Sequence, residues 1–356
     1  MASTAPDPAA GGSTGQLDRA VVEAAVEVAC RAPSIHNTQP WLWVLRAGQL
    51  ELRADRDRQL RVADPDGHSL LISCGAALHL TELALRGQGW LVRAQRLPDP
   101  ADPDLLARFV DPCPMAPSAL DLRAVEAAER RHSDRRPFIA EQLPDEVIEQ
   151  LRAAAAGAGV YAHFPMRADE QVNLAVAVSW ADRIERDDTA YQAEMQRWLR
   201  DREVHSEAEM HAGGVPTTAV PHVEAGHPRR IDVPLRDFEI GVSGRELIAQ
   251  DVDEHPLIAV LLSEAETPEQ HLAAGEAMMR LMLRAQELGI ASCPLSQAVD
   301  LVAFRGRVQT LMGWTGYPQM MLRLGYPTPS ADTPPPTPRR PLADVLREEP
   351  AGRSGG

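Results

Sequence analysis

The sequence predicts an α+β fold built as two related halves, and two observations carry that expectation. Short apolar strand patterns alternate with long helical ones, beginning with a hairpin signal at Leu42–Leu45 and Leu50–Ala54 joined by Ala47-Gly48. Two later stretches match at a constant offset: Ser73-Cys74-Gly75 through Gly89, and Ala273-Ala274-Gly275 through Gly289. Gly75 falls against Gly275, Leu83 against Leu283 and Gly89 against Gly289. Both stretches read as helices that are apolar nearly all round, as buried helices are. A glycine inside a helix costs roughly 1 kcal/mol relative to alanine, which makes sense where two backbones approach closely. A proline-containing acidic turn precedes each helix, favouring duplication over a chance likeness of two Ala/Leu-rich helices. The halves would then pack as a dimer within one chain, with the related helices at the internal interface.

The remaining elements follow from periodicity and breakers. Leu17 to Arg31 repeats apolar residues at helical spacing (Val21, Ala25, Val28, Ala29) and stops before Pro33, because the residue preceding a proline is pushed out of the helical region. Ser34 to Trp41 is a polar loop leading into the hairpin. Asp64-Pro65-Asp66-Gly67 is a turn, Leu70 to Arg86 a helix ending near Gly87 or Gly89, and Trp90–Leu97 a strand. Pro98 to Pro117 reads as a proline- and aspartate-rich connector, and Leu120 to Glu129 as a helix. Beyond it come a helix at Pro144–Ala156, a strand at Tyr161–Phe164 and one helical stretch from Glu170 to about Glu203. His205 to Arg236 is irregular and longer than a simple connection, so a lid or linker is expected there. Pro256–Ser263 is a strand, Glu269–Leu288 a helix and Met320–Leu324 a last strand. The expected organisation is a disordered tail over 1–16, an N-terminal half over 17–118, a C-terminal half over 119–346 with the lid at 205–236, and a disordered tail over 347–356.

Composition excludes several functions. The formal net charge of the 356-residue chain is -15, which argues against a nucleic-acid partner, since phosphate neutralisation needs a positive face. No apolar run approaches the ~18 residues of a membrane span, and the first residues lack the pattern of a secretory signal. Cys30, Cys74, Cys113 and Cys293 are scattered and form no C-x-x-C pair, which fits free thiols in a reducing cytoplasm. The chain contains no lysine, so Schiff-base chemistry and a P-loop lysine are excluded, and any phosphate must be held by arginine, hydroxyls or backbone amides.

Against that acidic background, Arg130 to Phe138 (Arg-Arg-His-Ser-Asp-Arg-Arg-Pro-Phe) gathers four arginines in seven residues. Guanidinium groups fork onto phosphate oxygens, so the cluster is a candidate anion site. The spacing of Arg131, Ser133 and Arg135 would put three donors on one side of an extended segment. The alternative is a solvated, charged helix end.

With these features in hand, the chain resembles the nitroreductase superfamily of FMN flavoproteins, most closely the Acg-like branch, in which one polypeptide carries two degenerate nitroreductase halves. The resemblance covers roughly Leu17 to Leu346. Ala32-Pro-Ser-Ile-His-Asn-Thr-Gln-Pro-Trp41 is similar to the family's A-P-S-x-x-N-x-Q-P-W, and residues 131–138 resemble its R-R-S-x-R-x-F flavin motif. Gly289-Ile-Ala-Ser-Cys-Pro-Leu-Ser296 resembles the segment along the flavin edge, and Gly325-Tyr-Pro followed by Arg339-Arg340 the C-terminal segment on the phosphate side. The resemblance implies a nitroreductase-like fold duplicated in one chain, with antiparallel sheets flanked by helices. It also implies an FMN between the halves. Each motif occurs once here, so a single complete site is expected. Arg131, Ser133 and Arg135 would hold the phosphate and ribityl chain, Arg339 or Arg340 would add charge, and Pro33, Ser34 and Asn37 would approach the ring. Pro294, Leu295 and Ser296 would flank it, with the Ser296 amide near N5, where a donor stabilises charge on the reduced ring.

Two departures bear on function. His132 replaces the second arginine of the motif, and Ser296-Gln297 stands where family members commonly have Glu-Gly. The implied activity is hydride transfer from NAD(P)H to FMN and on to a nitroaromatic, quinone or similar small-molecule acceptor. The alternative is an FMN-sequestering protein with little turnover, suggested by the expected lid. No metal site is expected: His205, His211, His222 and His227 match no helical i,i+4 pair and no H-E-x-x-H. Cys293 reads either as a redox thiol beside the flavin edge or as a small core residue. The expected state is a monomer acting as its own dimer, with further self-association open.

Overall fold

In a computed structural model that describes residues 16–136, 138–200, 215–216, 256–327 and 337–349, the first helix, α1 (Arg19–Ala29), buries Val22, Ala25, Val26 and Ala29 on one face. It packs on α2 (His68–Gly87), nearly all of whose residues are buried. α2 is long and apolar enough to cross a membrane, but its apolar surface is covered by protein. Between them lies the expected hairpin of β1 (Trp41–Arg46) and β2 (Gln49–Ala54), with Trp43 opposite Leu52. Its turn residues Ala47 and Gly48 have φ of 50° and 79°, the left-handed pair that suits the twist of the flanking strands.

The expected connector over 98–117 hides a strand. β3 (Trp90–Arg96) pairs antiparallel with β4 (Leu105–Pro114), and β4 lies between β2 and β3 in the sheet. Its Leu105, Leu106, Ala107 and Phe109 are buried, so tertiary burial outweighs the strand-breaking composition around it. This first sheet has the order β11-β1-β2-β4-β3, where β11 (Leu346–Glu349) joins β1 in parallel, Leu346 beside Trp43. Ordered chain therefore continues to Glu349, past the 346 at which the C-terminal half was expected to end. Residues 1–15 of the tail expected over 1–16, residues 350–356 of that expected over 347–356, and the expected lid apart from Val215 and Pro216 fall outside the described residues.

α3 (Ala119–Arg130) opens on a reciprocal cap, Ser118 receiving the Asp121 amide while the Asp121 carboxylate receives that of Ser118. α4 (Asp145–Ala155) and β5 (Val160–His163) follow as expected. The single helix expected over 170–203 is instead two, α5 (Ala168–Asp187) and α6 (Thr189–Trp198). Asp188 leaves helical geometry, and its carboxylate accepts the Ala190 and Tyr191 amides at 2.8 and 3.1 Å, restarting the helix. Two short strands, β6 (Leu199–Arg200) and β7 (Val215–Pro216), pair in parallel.

The second sheet is β5-β8-β10-β9, formed with β8 (Leu257–Ser263), β9 (Ala291–Leu295) and β10 (Tyr317–Gly325), all antiparallel. α7 (Pro268–Glu287) runs between β8 and β9. α8 (Val302–Met312), not anticipated from the sequence, buries Phe304 and Val308 in a smaller core beside α5. A one-turn helix, α9 (Leu342–Val345), precedes β11.

α2 and α7 form the centre of the molecule, and their glycines meet as expected. A Cβ on Gly75 would lie 2.0 Å from the Leu272 carbonyl oxygen, and one on Gly275 would lie 2.0 Å from that of Ile72. The contact is reciprocal at the same offset that relates the two sequences, so the pseudo-twofold passes between these glycines. The nitroreductase-like α+β architecture, two sheets flanked by helices with duplicated central helices, stands.

Candidate functional site

α1 ends at Cys30-Arg31-Ala32-Pro33 with its last carbonyls lacking helical partners. Two of them are taken by arginines distant in sequence. Arg131 Nη2 donates to the Arg31 carbonyl at 2.7 Å, and Arg339 Nε to that of Cys30 at 2.7 Å. Arg131 is buried, and its Nε and Nη1 have no hydrogen-bond partner among the described residues. Neither guanidinium has an ion pair among the described residues. Burial, with Arg339 adding repulsion, pushes Arg131 down to about 9. Burial, with Arg31 adding repulsion, pushes Arg339 down to about 10. A buried and a half-buried cation side by side, with no carboxylate paired to them among the described residues, form a cradle whose electrostatic cost an anion would relieve.

The polar loop beside them is held in an unusual shape. His36, Asn37 and Gln39 have φ of 43°, 54° and 50°, a concentration of left-handed residues typical of functional loops. Ser34 Oγ accepts the Gln39 amide at 3.0 Å and so shapes the loop. Asn37 is used at both ends of its amide: Nδ2 donates to the Pro338 carbonyl at 3.0 Å, and Oδ1 accepts from Arg339 Nη1 at 3.3 Å. Pro33 lies at the junction of α1 and this loop. Its predicted neighbours Asn37, Arg131 and Arg339 thus meet in one place.

Within residues 131–136, Asp134 is the hub of the contacts. The even members pair among themselves: Asp134 lies 2.7 Å from Arg136 and 3.7 Å from His132. Burial pushes Asp134 up, but the nearby His132 ring and the hydrogen bonds from Arg136 outweigh it and hold the carboxyl well below the usual range. Ser133 and Arg135, on the other side, are half-buried, and Arg135 has no ion pair among the described residues. The segment lies along the edge of β9, with Ser133 bridging Ser292 in parallel and the Asp134 amide donating to the Ser292 carbonyl at 3.0 Å. Residues 131–136 are thereby set beside Pro294–Ser296. Leu295 is buried in the smaller core, leaving Pro294 and Ser296 as the half-exposed members of that edge.

Residues 128–326 match the Nitroreductase family, and relatives match almost end to end. The chain belongs to the nitroreductase family. It is similar to a Mycobacterium tuberculosis protein bearing the name NAD(P)H nitroreductase, at 34% identity over 330 residues covering 92% of each chain. It is also similar to the M. tuberculosis protein named Acg, at 31% identity, covering 92% of this chain and 95% of the other. Among solved structures, the FMN and NADPH-dependent nitroreductase NfnB from Sphigopyxis sp. strain HMH is 16% identical. That match covers 62% of this chain and 96% of the other, with a TM-score of 0.38. This nitroreductase-family chain is an oxidoreductase.

Of the two arginines expected on the phosphate side, Arg340 is already occupied. It lies 3.1 Å from Asp55 and donates to the Gln39 and Trp41 carbonyls at 3.0 and 3.3 Å. Arg339 is the one left without a counter-charge. Sequence reading missed Arg31, because its contribution is a backbone carbonyl. It also missed Asp300, whose partner Ser69 lies 231 residues away. All four cysteines are free thiols, and Cys293 is buried, 2% exposed, which favours the core reading. No group of metal-binding side chains occurs among the described residues. A groove along α5 lined by Val172, Val176 and Trp180 contains none of the candidate residues.

Proposed function

We propose that the chain is an FMN oxidoreductase that holds one flavin at the junction of its two halves. Hydride would come from NADH or NADPH and pass to a nitroaromatic, quinone or similar small acceptor. The observation that supports this most is the pair of the buried Arg131 and the half-buried Arg339, which has no carboxylate among the described residues and fits a phosphate dianion. When bound, FMN supplies the two-electron chemistry, so the protein needs neither a nucleophile nor a carboxylate dyad.

In this reading Arg131 and Arg339 hold the phosphate, and Asn37 orients Arg339. Ser133 and Arg135 offer donors to the ribityl hydroxyls from the side of the segment that Asp134 leaves uncommitted. Pro33 and Ser34 approach the ring from the first half; Pro294, Leu295 and Ser296 flank it from the second. Four free thiols suit a reducing cytoplasm.

The visible spectrum of the purified protein with anaerobic addition of NADPH or NADH tests the proposal. Flavin bands near ~450 nm that bleach are the expected result. Bands that bleach only with dithionite would mean FMN is held without nicotinamide turnover. A colourless protein that takes up no added FMN would overturn the assignment.

A further inference from the structure

The turn after Ser296 contains a fully buried carboxylate that the flavin reading does not use. Asp300 Oδ2 accepts from Ser296 Oγ at 2.9 Å, and Asp300 Oδ1 accepts from Ser69 Oγ at 3.1 Å. Ser69 lies in the first turn of α2, in the other half of the molecule. One helical turn further along, Ser73 Oγ donates to the Ser69 carbonyl at 2.7 Å and accepts the amide of Ile35 at 3.1 Å. Ser69 and Ser73 therefore share a face of α2, four residues apart. One tie runs to the 294–296 edge and the other to the 34–41 loop.

The surroundings make this link stiff. Asp64 caps α2 by accepting the Ser69 and Leu70 amides at 2.9 and 2.8 Å. The Ser296 carbonyl accepts the Val299 and Asp300 amides at 2.7 and 2.8 Å, closing the turn. Arg305 donates to the Val299 and Asp300 carbonyls at 2.9 and 3.1 Å and pairs at 2.9 Å with Asp66, in the turn before α2. Two struts thus cross from one half to the other at this point: the buried Ser69–Asp300 contact, and the Asp66–Arg305 pair, whose arginine is buried and whose carboxylate reaches solvent. A turn on the surface would need neither.

We propose that Asp300 is a positioning residue: by latching Ser296 to Ser69 it sets the separation between the 34–41 loop and the 294–296 edge, and so the seat of the flavin ring. The proposal rests on the FMN reading above. The latch acts first on the ring end, since the cradle of Arg131 and Arg339 hangs on α1 and touches the loop through Asn37. A buried hydrogen-bonded carboxylate fixes geometry more firmly than a neutral group, because charged acceptors bind hydroxyl donors more strongly.

The test compares Asp300→Asn and the milder Ser69→Ala with wild type in two measurements on the FMN-loaded protein. One is the FMN dissociation constant. The other is the midpoint potential of the bound flavin, titrated with dithionite against a reference dye, so that nicotinamide turnover is not needed. The expected result is FMN affinity within roughly threefold of wild type, together with a shifted potential in both variants. The double variant should shift no further than the larger single one, since both break the same latch. Unchanged potentials in flavin-loaded variants would overturn the proposal and leave the FMN reading intact. A parallel loss of FMN affinity and stability with no shift in potential would also overturn it, by showing a merely structural role. Failure of the wild type to take up FMN would remove both.

Discussion

The two edge strands related by the internal duplication end in opposite ways. β3 follows Gly89 and β9 follows Gly289, both glycines at positive φ, 86° and 71°. At the common offset, Arg96 takes the place in the first half that Ser296 takes in the second. Arg96 reaches across to α7 and grips Glu276 with both arms, at 2.6 and 2.8 Å, while also meeting Glu82 on α2 at 3.0 Å. Ser296 is short, ties back to Asp300 and leaves its edge half-exposed. A part-exposed arginine, Arg96, is therefore neutralised on one side of the pseudo-twofold, while Arg131 and Arg339 on the other have no counter-charge among the described residues. The contrast separates an ion pair that closes a surface from two guanidiniums with no counter-charge among the described residues. It accounts in physical terms for one expected site where symmetry would allow two.

The largest way to break the relation between the halves is at its axis. Gly75→Ala or Gly275→Ala drives a methyl group into a main-chain carbonyl, and overpacking against backbone should cost about 3 kcal/mol or more, read from urea unfolding. A loss below about 1 kcal/mol would mean that the helices separate easily. Next comes the cradle. Arg131→Ala with Arg339→Ala removes two charge-assisted contacts, each worth ~1.5–3 kcal/mol, so FMN retention should weaken at least about tenfold. The unliganded variant should unfold no earlier than the parent, because uncompensated buried cations have been removed. A ligand-free chain that is markedly destabilised would show that the arginines are structural.

On the opposite edge, Glu276→Ala should cost about 1–2 kcal/mol, since Arg96 remains 37% exposed and can rehydrate. Flavin stoichiometry should stay at one per chain; a second equivalent on titration would show that Glu276 alone blocks the pseudo-equivalent edge. The smallest effect concerns pH. Burial pushes the Asp64 carboxyl up to about 7, so its ionised form is disfavoured in the folded chain. Its contribution to stability is present in full below about pH 4 and is lost as pH rises through about 7. Asp64→Asn should flatten the stability profile across that window, measured as urea midpoints; an unchanged slope would show that Asp64 ionises freely in the folded state.

How much of this could be read beforehand follows from the range of each interaction. The paired glycines were legible because an unfavourable residue recurred at a fixed offset in two apolar helices. β4 was not, since its apolar core sits among prolines and aspartates that argue for a loop until neighbouring strands cover it. The break at Asp188 was hidden because helical periodicity continues on either side of it. The idle state of Arg339 against the engagement of Arg340 was equally hidden, because it depends on Asp55 standing 285 residues away. Asp300 escaped notice for the same reason: a carboxylate in a turn carries no mark of the serine that will meet it.

Arg339 donates to Cys30 across 309 residues, and β11 docks on β1 across a comparable span, Arg46 meeting Glu349 303 residues later. At ~5–20 residues per second, synthesis separates the two sides of the cradle by roughly 15–60 s. The emerging chain must keep the edge of β1 unpaired for that interval, and an exposed strand edge is a template for wrong partners. Completion of the Arg131–Arg339 cradle is consequently a late event in the life of the nascent chain, after both sheets have been made.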